Sequence, residues 1–452
     1  MSIDGCTRRG AIRSLVGGSM LLPGIIHQAF ADDDPLAPRA PHHPAKAKRV
    51  IFLYMSGGVS HVDSFDPKPK LFTDHGKTKG KAYLKRPGWE FKPRGKCGTE
   101  ISELFPHQAE CADDLCVIRS MRSDHGNHFE AALGIHTGSV TVARPSVGSW
   151  VSYGLGTPNR NLPSYVVLAP QLPYAGGQLW ASDFLPGAHQ GTRVVPGPEP
   201  VPNMNRRAPA DVQELELGLL EAMNGEHLRA RGNDAALAAR IKAFETAFGM
   251  QSASPEAFDL SKETDETHAL YGLKRGSAKG FAWQCLVARR LAERGVRFVE
   301  LIDTGASNNW DSHGDMTEHG RLAKNVDQPI AGLLKDLKQR GLLEDTLVVW
   351  TTEFGRTPFP DKAEDPNNKG RGHHNSVFSS WMAGGGVKAG TVYGRSDDIG
   401  ERVAENEVHT HDFHATILHL LGLDHTKLTF RHAGRDFRLT DVAGRVVKDV
   451  LA

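Results

Sequence analysis

Short apolar runs punctuate the chain at Arg49–Met55, Leu115–Met121, Leu162–Leu168, Val296–Ile302, Leu347–Thr351 and Val377–Met382. Each is bounded by Gly, Pro or polar clusters. A short, almost unbroken apolar run is the pattern of a strand buried on both faces of a mainly parallel sheet. Between the runs the period lengthens. Val326, Ile330, Leu333, Leu334 and Leu337 line one face of a helix, and Arg340-Gly341 supplies its basic end and stop. Pro329 predicts a kink or a restart within it. Residues 101–111, Ala131–Ser139, 145–156 and Ala415–Leu423 also carry helical patterns. Strands alternating with helices predict an α/β fold: a central, mostly parallel sheet with helices on both faces.

The period is lost over residues 170–210 and returns as helix over 211–295, broken at 250–262. This reads as a loop and helical insertion, about 170–295, in a single domain spanning 48–452. Residues 70–100 are basic and rich in Gly and Pro, which predicts a surface loop, and residues 32–47 read as a flexible linker. The first 31 residues form a signal: Thr7-Arg8-Arg9, an apolar stretch from Leu15 to Ile26, then Ala29-Phe30-Ala31 as cleavage site. That layout predicts engagement of the twin-arginine export machinery, and periplasmic or extracellular residence. No later stretch reaches the roughly 18–20 apolar residues of a membrane span, so the mature chain is expected to hold no transmembrane helix. A net charge of +1 argues against a nucleic-acid partner. In an exported chain Cys97 could pair with Cys111 or Cys116, whereas Cys285 lies in a helical pattern and is expected in the core.

Candidate chemistry gathers where the strand patterns end. Ser56-Gly57-Gly58 leads to Asp63, and Ser123-Asp124-His125-Gly126 leads to Asn127 and His128. The run ending at Ile302 is followed by Asp303, Asp311 and His313. Glu353 and Arg356 follow Thr351, and His373 and His374 precede Val377. Imidazole mixed with carboxylate suits Zn, Mn or a similar ion, and a pair of ions is feasible. The bland alternative is a set of hydrogen-bonded turn residues. His409, His411, His419 and His425 fit surface or capping positions better.

The segment GLLKDLKQRGLLEDTLVVWTTEFGRTP resembles the corresponding stretch of sulfatases and the wider alkaline-phosphatase superfamily, and ATILHLLGL resembles a helix of theirs. His136-Thr137-Gly138 sits like the end of the sulfatase nucleophile motif. FLYMSGGVSHVDSFDPKP, PSVGSWVSYGLG, NLPSYVVL, CLVARRLAERGVRFVE, NNWDSHGD and THDFHATILHLLGL look closer still to the domain-of-unknown-function 1501 family of exported, sulfatase-like bacterial proteins. The resemblance implies an alkaline-phosphatase/sulfatase-like three-layer sandwich with a metal site at the carboxyl edge of its sheet.

Carried over residue by residue, the resemblance shows departures. The Asp-His-Gly of sulfatases becomes Glu353-Phe354-Gly355, and the paired aspartates of the first strand become Ser56-Gly57-Gly58, with Asp63 nearest. The Cys-x-Pro-Ser-Arg motif is missing, and its nucleophile position falls near His128, which argues against a formylglycine mechanism. The implied metal ligands are Asp63, Asp303, Asp311, His313, Glu353 and His373 or His374, holding one or two divalent ions, Zn, Mn or Ca. Arg356 would hold an oxyanion. His128, beside Asn127, would be a ligand, a general acid or a phosphorylated nucleophile. The implied function is an exported, metal-dependent hydrolase of phosphate or sulfate esters, acting on a small ester or a sulfated or phosphorylated polymer. The alternatives are a non-catalytic ligand- or polymer-binding protein of the same fold, and a secreted scaffold.

Overall fold

The computed structural model describes residues 34–197, 209–232, 256–303 and 309–452, with isolated positions in 199–201 and 234–249. The twin-arginine stretch lies outside the described residues. A nine-stranded sheet runs through the molecule. Its strands are β1 (Arg49–Met55), β2 (Leu115–Arg122), β3 (Tyr165–Leu168), β4 (Thr192–Val194), β5 (Phe298–Asp303), β6 (Thr346–Thr351), β7 (Phe378–Ala383), β8 (Thr391–Tyr393) and β9 (Val408–His409). Their spatial order is β8-β2-β7-β6-β1-β5-β3-β4, with β9 also on β2. β1 pairs in parallel with β6 and β5, whereas β7 is antiparallel to both β6 and β2. Thus β1, β2, β5 and β6 all end on one edge of the sheet, the edge where ligands sit in open α/β folds.

Alternation along the strands builds two cores. Ile51, Leu53, Val299, Leu301, Val348 and Trp350 face one side, against helices α3 (Phe281–Glu293) and α4 (Glu318–Gln339). Val50, Phe52, Phe298, Ile302, Leu347 and Val349 face the other. There they meet α1 (His128–Thr137), α2 (Val147–Leu155) and α5 (Thr410–Leu420). Every residue of β5 and β6 is buried. Each Val, Leu or Ile placed there stabilises the sheet by about 1.5–3 kcal/mol. The resulting mixed α/β sandwich has the mostly parallel sheet that the strand patterns predict.

Several expectations need correction. α4 is one helix with Pro329 inside it, buried, rather than two pieces. Residues 101–111 are not a helix: Thr99–Ser102 is a strand paired with Phe91–Arg94, and only Pro106–Ala109 turns helical. Pro106 fits the first turn of a helix but stops any helix arriving from residue 101. Residues 34–47 are strapped down rather than loose. The Arg39 N–H donates to the Leu155 carbonyl, and the Lys46 and Ala47 N–H groups donate to that of Leu420. The strap thereby satisfies carbonyls left open at the ends of α2 and α5. Both flanks of the expected insertion belong to the main layers, through β4 and α3, so what stands apart is the helix Ala210–Ala230. Cys97, Cys111, Cys116 and Cys285 are all free. Cys111 and Cys116 are buried in opposite cores and Cys97 is exposed, and the expected pairing of Cys97 is not formed. Among the described residues no helix is long and apolar enough to cross a membrane.

Candidate metal centre

The carboxyl edge brings four side chains to one point. His128 is the first residue of α1, just beyond β2. Asp311 and His313 lie in the loop that leaves β5. His373 lies on the strand Arg371–His374, paired with Gly355–Pro360 beyond β6. Asp311 Oδ1 is 2.9 Å from His313 Nε2, 3.2 Å from His373 Nε2 and 3.2 Å from His128 Nε2. His313 Nε2 and His373 Nε2 are 2.8 Å apart. One ligand atom from each of His128, Asp311 and His373 falls within 4.8 Å of the others.

The outer nitrogen of each ring decides what the inner one can be. His128 Nδ1 lies 2.7 Å from Glu353 Oε1. His313 Nδ1 lies 2.6 Å from Asp361 Oδ1, and His373 Nδ1 lies 2.7 Å from the Gly126 carbonyl. All three partners are acceptors, so each Nδ1 must carry a proton. In the neutral ring each Nε2 is then a bare lone pair, 2.9–3.2 Å from the Asp311 carboxylate. His128 Nε2 is buried and makes no hydrogen bond despite its closeness to Asp311. Such a group is self-repelling unless a proton or a metal ion lies within it. Imidazoles whose far nitrogens are pinned by carboxylate or carbonyl are how proteins orient metal-binding histidines.

Burial pulls the His128 pKa down, but Asp311 and Glu353 outweigh it and leave the ring above its usual value. The same carboxylates also favour a proton on the His128 ring, so a metal ion would have to displace it. Burial pushes Asp311 up, yet His128, His373 and Arg356 carry it far below the carboxylate range. Glu353 is fully buried but likewise lowered, with His128 the main opponent of burial.

The backbone sets these positions by close approach. Gly57, just past β1, has φ +113°, and a Cβ there would stand 2.7 Å from the Trp310 nitrogen and 2.8 Å from that of Asp311. Trp310 anchors the Asp311 loop: its backbone N–H donates to the Ser56 carbonyl and its indole N–H to Asp303 Oδ2. A Cβ on Gly370 would collide with the His313 carbonyl at 1.6 Å.

The other candidates are placed differently. Asp63 is fully buried and saturated, by Arg371 Nε at 2.8 Å, Ser60 Oγ at 2.5 Å and the Gly88 N–H at 2.8 Å. It is a buried ion pair, with its charge committed to Arg371 rather than to a metal. His374 alternates with His373 and faces away; its Nε2 lies 2.6 Å from the Glu401 carbonyl, and its ring stacks on His61. Asp303 is engaged by Trp310 and Asn309, and burial raises its pKa to about 6. Glu353 touches the group only through His128; its Oε1 also accepts the Gly57 N–H, and Thr352 Oγ1 sits 3.0 Å from Oε2. Arg356 is fully buried. It donates to the carbonyls of Gly57, Gly58, Trp310 and Arg371 and to Asp311 Oδ1 at 2.5 Å. Fully buried and held by these acceptors, Arg356 is not free to grip a substrate oxyanion. Asn127 precedes α1 as its exposed cap residue.

Three neighbours escaped the sequence reading. Asp361 orients His313. Tyr174 stacks on His128 with ring centroids 4.2 Å apart and planes 7° from parallel. Phe354 packs against both His128 and His373, at 4.8 and 4.6 Å. Tyr174 and Asp361 lie in segments with no periodic signal. Phe354 was visible only as the residue that replaces the histidine of the sulfatase Asp-His-Gly.

Solved structures similar to this chain include a sulfatase from Pseudoalteromonas sp., at 14% identity and TM-score 0.37, covering 83% of this chain and 68% of that one. Another is a phosphonate monoester hydrolase from Silicibacter pomeroyi, at 12% identity and TM-score 0.37, covering 90% and 76%. The lipoteichoic acid synthase LtaP from Listeria monocytogenes aligns at 7% identity and TM-score 0.38, covering 91% and 80%. No curated protein matches the sequence. Residues 47–451 match the model of the family described as a protein of unknown function, DUF1501, and the chain belongs to that family.

Proposed function

We propose that this chain is a metal-dependent hydrolase of phosphate or sulfate esters. One observation carries the reading: three histidine Nε2 atoms and Asp311 Oδ1 converge, with every Nδ1 proton already committed outward. His128, Asp311, His313 and His373 would hold a divalent ion, with Zn or Mn better matched than Ca to so nitrogen-rich a set. When bound, such an ion polarises an ester oxygen and lowers the pKa of a coordinated water. Glu353, Asp361 and the Gly126 carbonyl keep the ligand tautomers. The His313 side chain is 40% exposed, so the group is open to solvent on that side. α1 begins at this group, and its free N–H end offers partial positive charge to an ester oxyanion. Phe354 and Tyr174 wall the rings with apolar surface. The twin-arginine start supports action on small or polymeric esters outside the cytoplasm.

A second reading rests on the ligand count. Four protein ligands can close a tetrahedral zinc site, as in structural centres, and the fold would then bind a ligand or polymer without turnover. Elemental analysis of protein purified without chelator tests the first claim. The wild type is expected to retain divalent metal, and His313→Ala and His373→Ala to lose most of it while staying folded. Metal-free wild-type protein that takes up no ion on reconstitution would sink both readings. Bound metal with no turnover across a panel of aryl phosphates and sulfates would leave the second.

A further inference from the structure

The helix Ala210–Ala230 is about 30 Å long and contributes no residue to either core. None of its described residues is buried. Leu217 and Leu228 mark its half-buried side. Beside them Val212, Leu215, Leu219, Leu220 and Met223 stand in solvent, Leu215 at 76% exposure and Leu219 at 63%. Their spacing keeps all five on one stripe. Single exposed apolar residues are ordinary, whereas a contiguous stripe marks a surface that something covers.

We propose that this stripe is a self-association surface, covered by the same helix of a second copy of this chain, antiparallel across a two-fold axis. The pairing is independent of the metal centre.

Charge selects that occupant. Asp211 and Glu214 open the helix, and His227, Arg229 and Arg231 close it. An antiparallel copy sets each acidic end against a basic one; a parallel copy sets like against like. The two ends are equidistant from the point between Leu220 and Glu221, so the axis that pairs them crosses the middle of the stripe. About that axis Glu214 comes level with His227, and Asp211 falls between Arg229 and Arg231. The partner of Arg229 within its own helix, Glu226 at 2.7 Å, is a solvent-exposed pair of little worth, so the guanidinium can be recruited across the axis.

Size agrees with charge. In the same register Leu219 faces Ala222 and Met223 faces Gly218, so large side chains meet small ones, as packed helix pairs require. The space over Gly218 is open: a Cβ there would meet nothing within 4 Å. A two-fold pairing also closes on itself and leaves no half of the stripe uncovered. A membrane surface is the poorer occupant. Helices that lie on lipid carry Lys and Arg on their polar face, and this one carries five carboxylates against Arg229 and Arg231.

Sedimentation velocity on the full wild-type chain, from about 1 to 100 µM, tests the pairing, because self-association follows mass action. A concentration-dependent rise to twice the chain mass is expected. Leu219→Glu is expected to stay monomeric throughout with an unchanged unfolding midpoint, since Leu219 belongs to neither core. Arg229→Glu combined with Arg231→Glu sets acid against acid, and dimerisation is expected to weaken at least about tenfold. A wild type that stays monomeric would overturn the proposal; were it also to float with phosphatidylcholine–phosphatidylglycerol vesicles, and Leu219→Glu not, the stripe would belong to a membrane surface instead. A dimer that survives Leu219→Glu would place the interface elsewhere and overturn it equally. A dimer lost in Leu219→Glu but untouched by the paired arginine changes would overturn the antiparallel arrangement.

Discussion

At the scale of single residues, carboxylates of similar promise in the sequence have different tasks. Asp311 faces three imidazoles, Glu353 and Asp361 each fix one ring, and Asp63 neutralises Arg371. These tasks separate under mutation. Glu353→Ala frees His128 Nδ1 and lets the ring turn. Metal affinity is expected to fall roughly 10- to 100-fold, the usual effect of losing an outer partner, and a metal-binding titration reads it. Asp63→Ala strands a fully buried guanidinium, so stability is expected to drop by about 3–5 kcal/mol. Denaturant unfolding measures that loss. The surviving folded fraction should keep its metal; metal loss in proportion to a small stability change would contradict the assignment.

At the scale of elements, period and direction do the sorting. His373 and His374 are neighbours in sequence, yet they sit opposite Arg356 and Gly355 on the partner strand, and their side chains leave opposite faces. His374→Ala is therefore expected to leave metal content at the wild-type level, where His373→Ala removes it. Equal loss in both would mean that the strand does not hold this register in solution. Gly57 belongs to the same scale. Its left-handed backbone lets the end of β1 touch the loop carrying Asp311, and Gly57→Ala would push the two apart. The expected readout is weaker metal binding combined with a lower unfolding midpoint.

At the scale of the whole molecule, buried histidines make stability depend on pH. Burial holds His61 at about 4, and His189 and His414 at about 3. All three lie below the unfolded value of about 6.5, so they are neutral in the fold and take up protons on unfolding. Their contribution is complete above pH 6.5 and is lost as pH falls toward 4, at up to about 1.4 kcal/mol per pH unit for each. Asp303 acts in the opposite sense. Its folded pKa of about 6 lies above the unfolded value, so it loses stability as pH rises through 6 and offsets one histidine below that. The unfolding midpoint in urea should fall steadily from pH 7 to pH 5, and a flat or rising midpoint would refute this account.

Much of the architecture was legible before any coordinates, because a strand buried on both faces must be apolar almost throughout. The runs ending at Met55, Ile302 and Thr351 became the centre of the sheet within a residue or two. The sequence alone also marked loops that carry chemistry, since mixed His, Asp and Glu groups follow where those runs stop. What it could not rank was the use of each side chain. Asp63 and Asp311 are the same residue type after similar strands, and only their neighbours differ: a guanidinium, a hydroxyl and a backbone N–H for one, a guanidinium and three imidazole nitrogens for the other. Arg356 suited an oxyanion in sequence, but in the fold its donors meet carbonyls from Gly57, Gly58, Trp310 and Arg371, three of which lie in distant parts of the chain. Local pattern determines strand, helix and edge because those depend on periods a few residues long. Ligand, brace and counter-ion depend on which distant atoms saturate a group's hydrogen bonds and charge, and only the tertiary structure decides that.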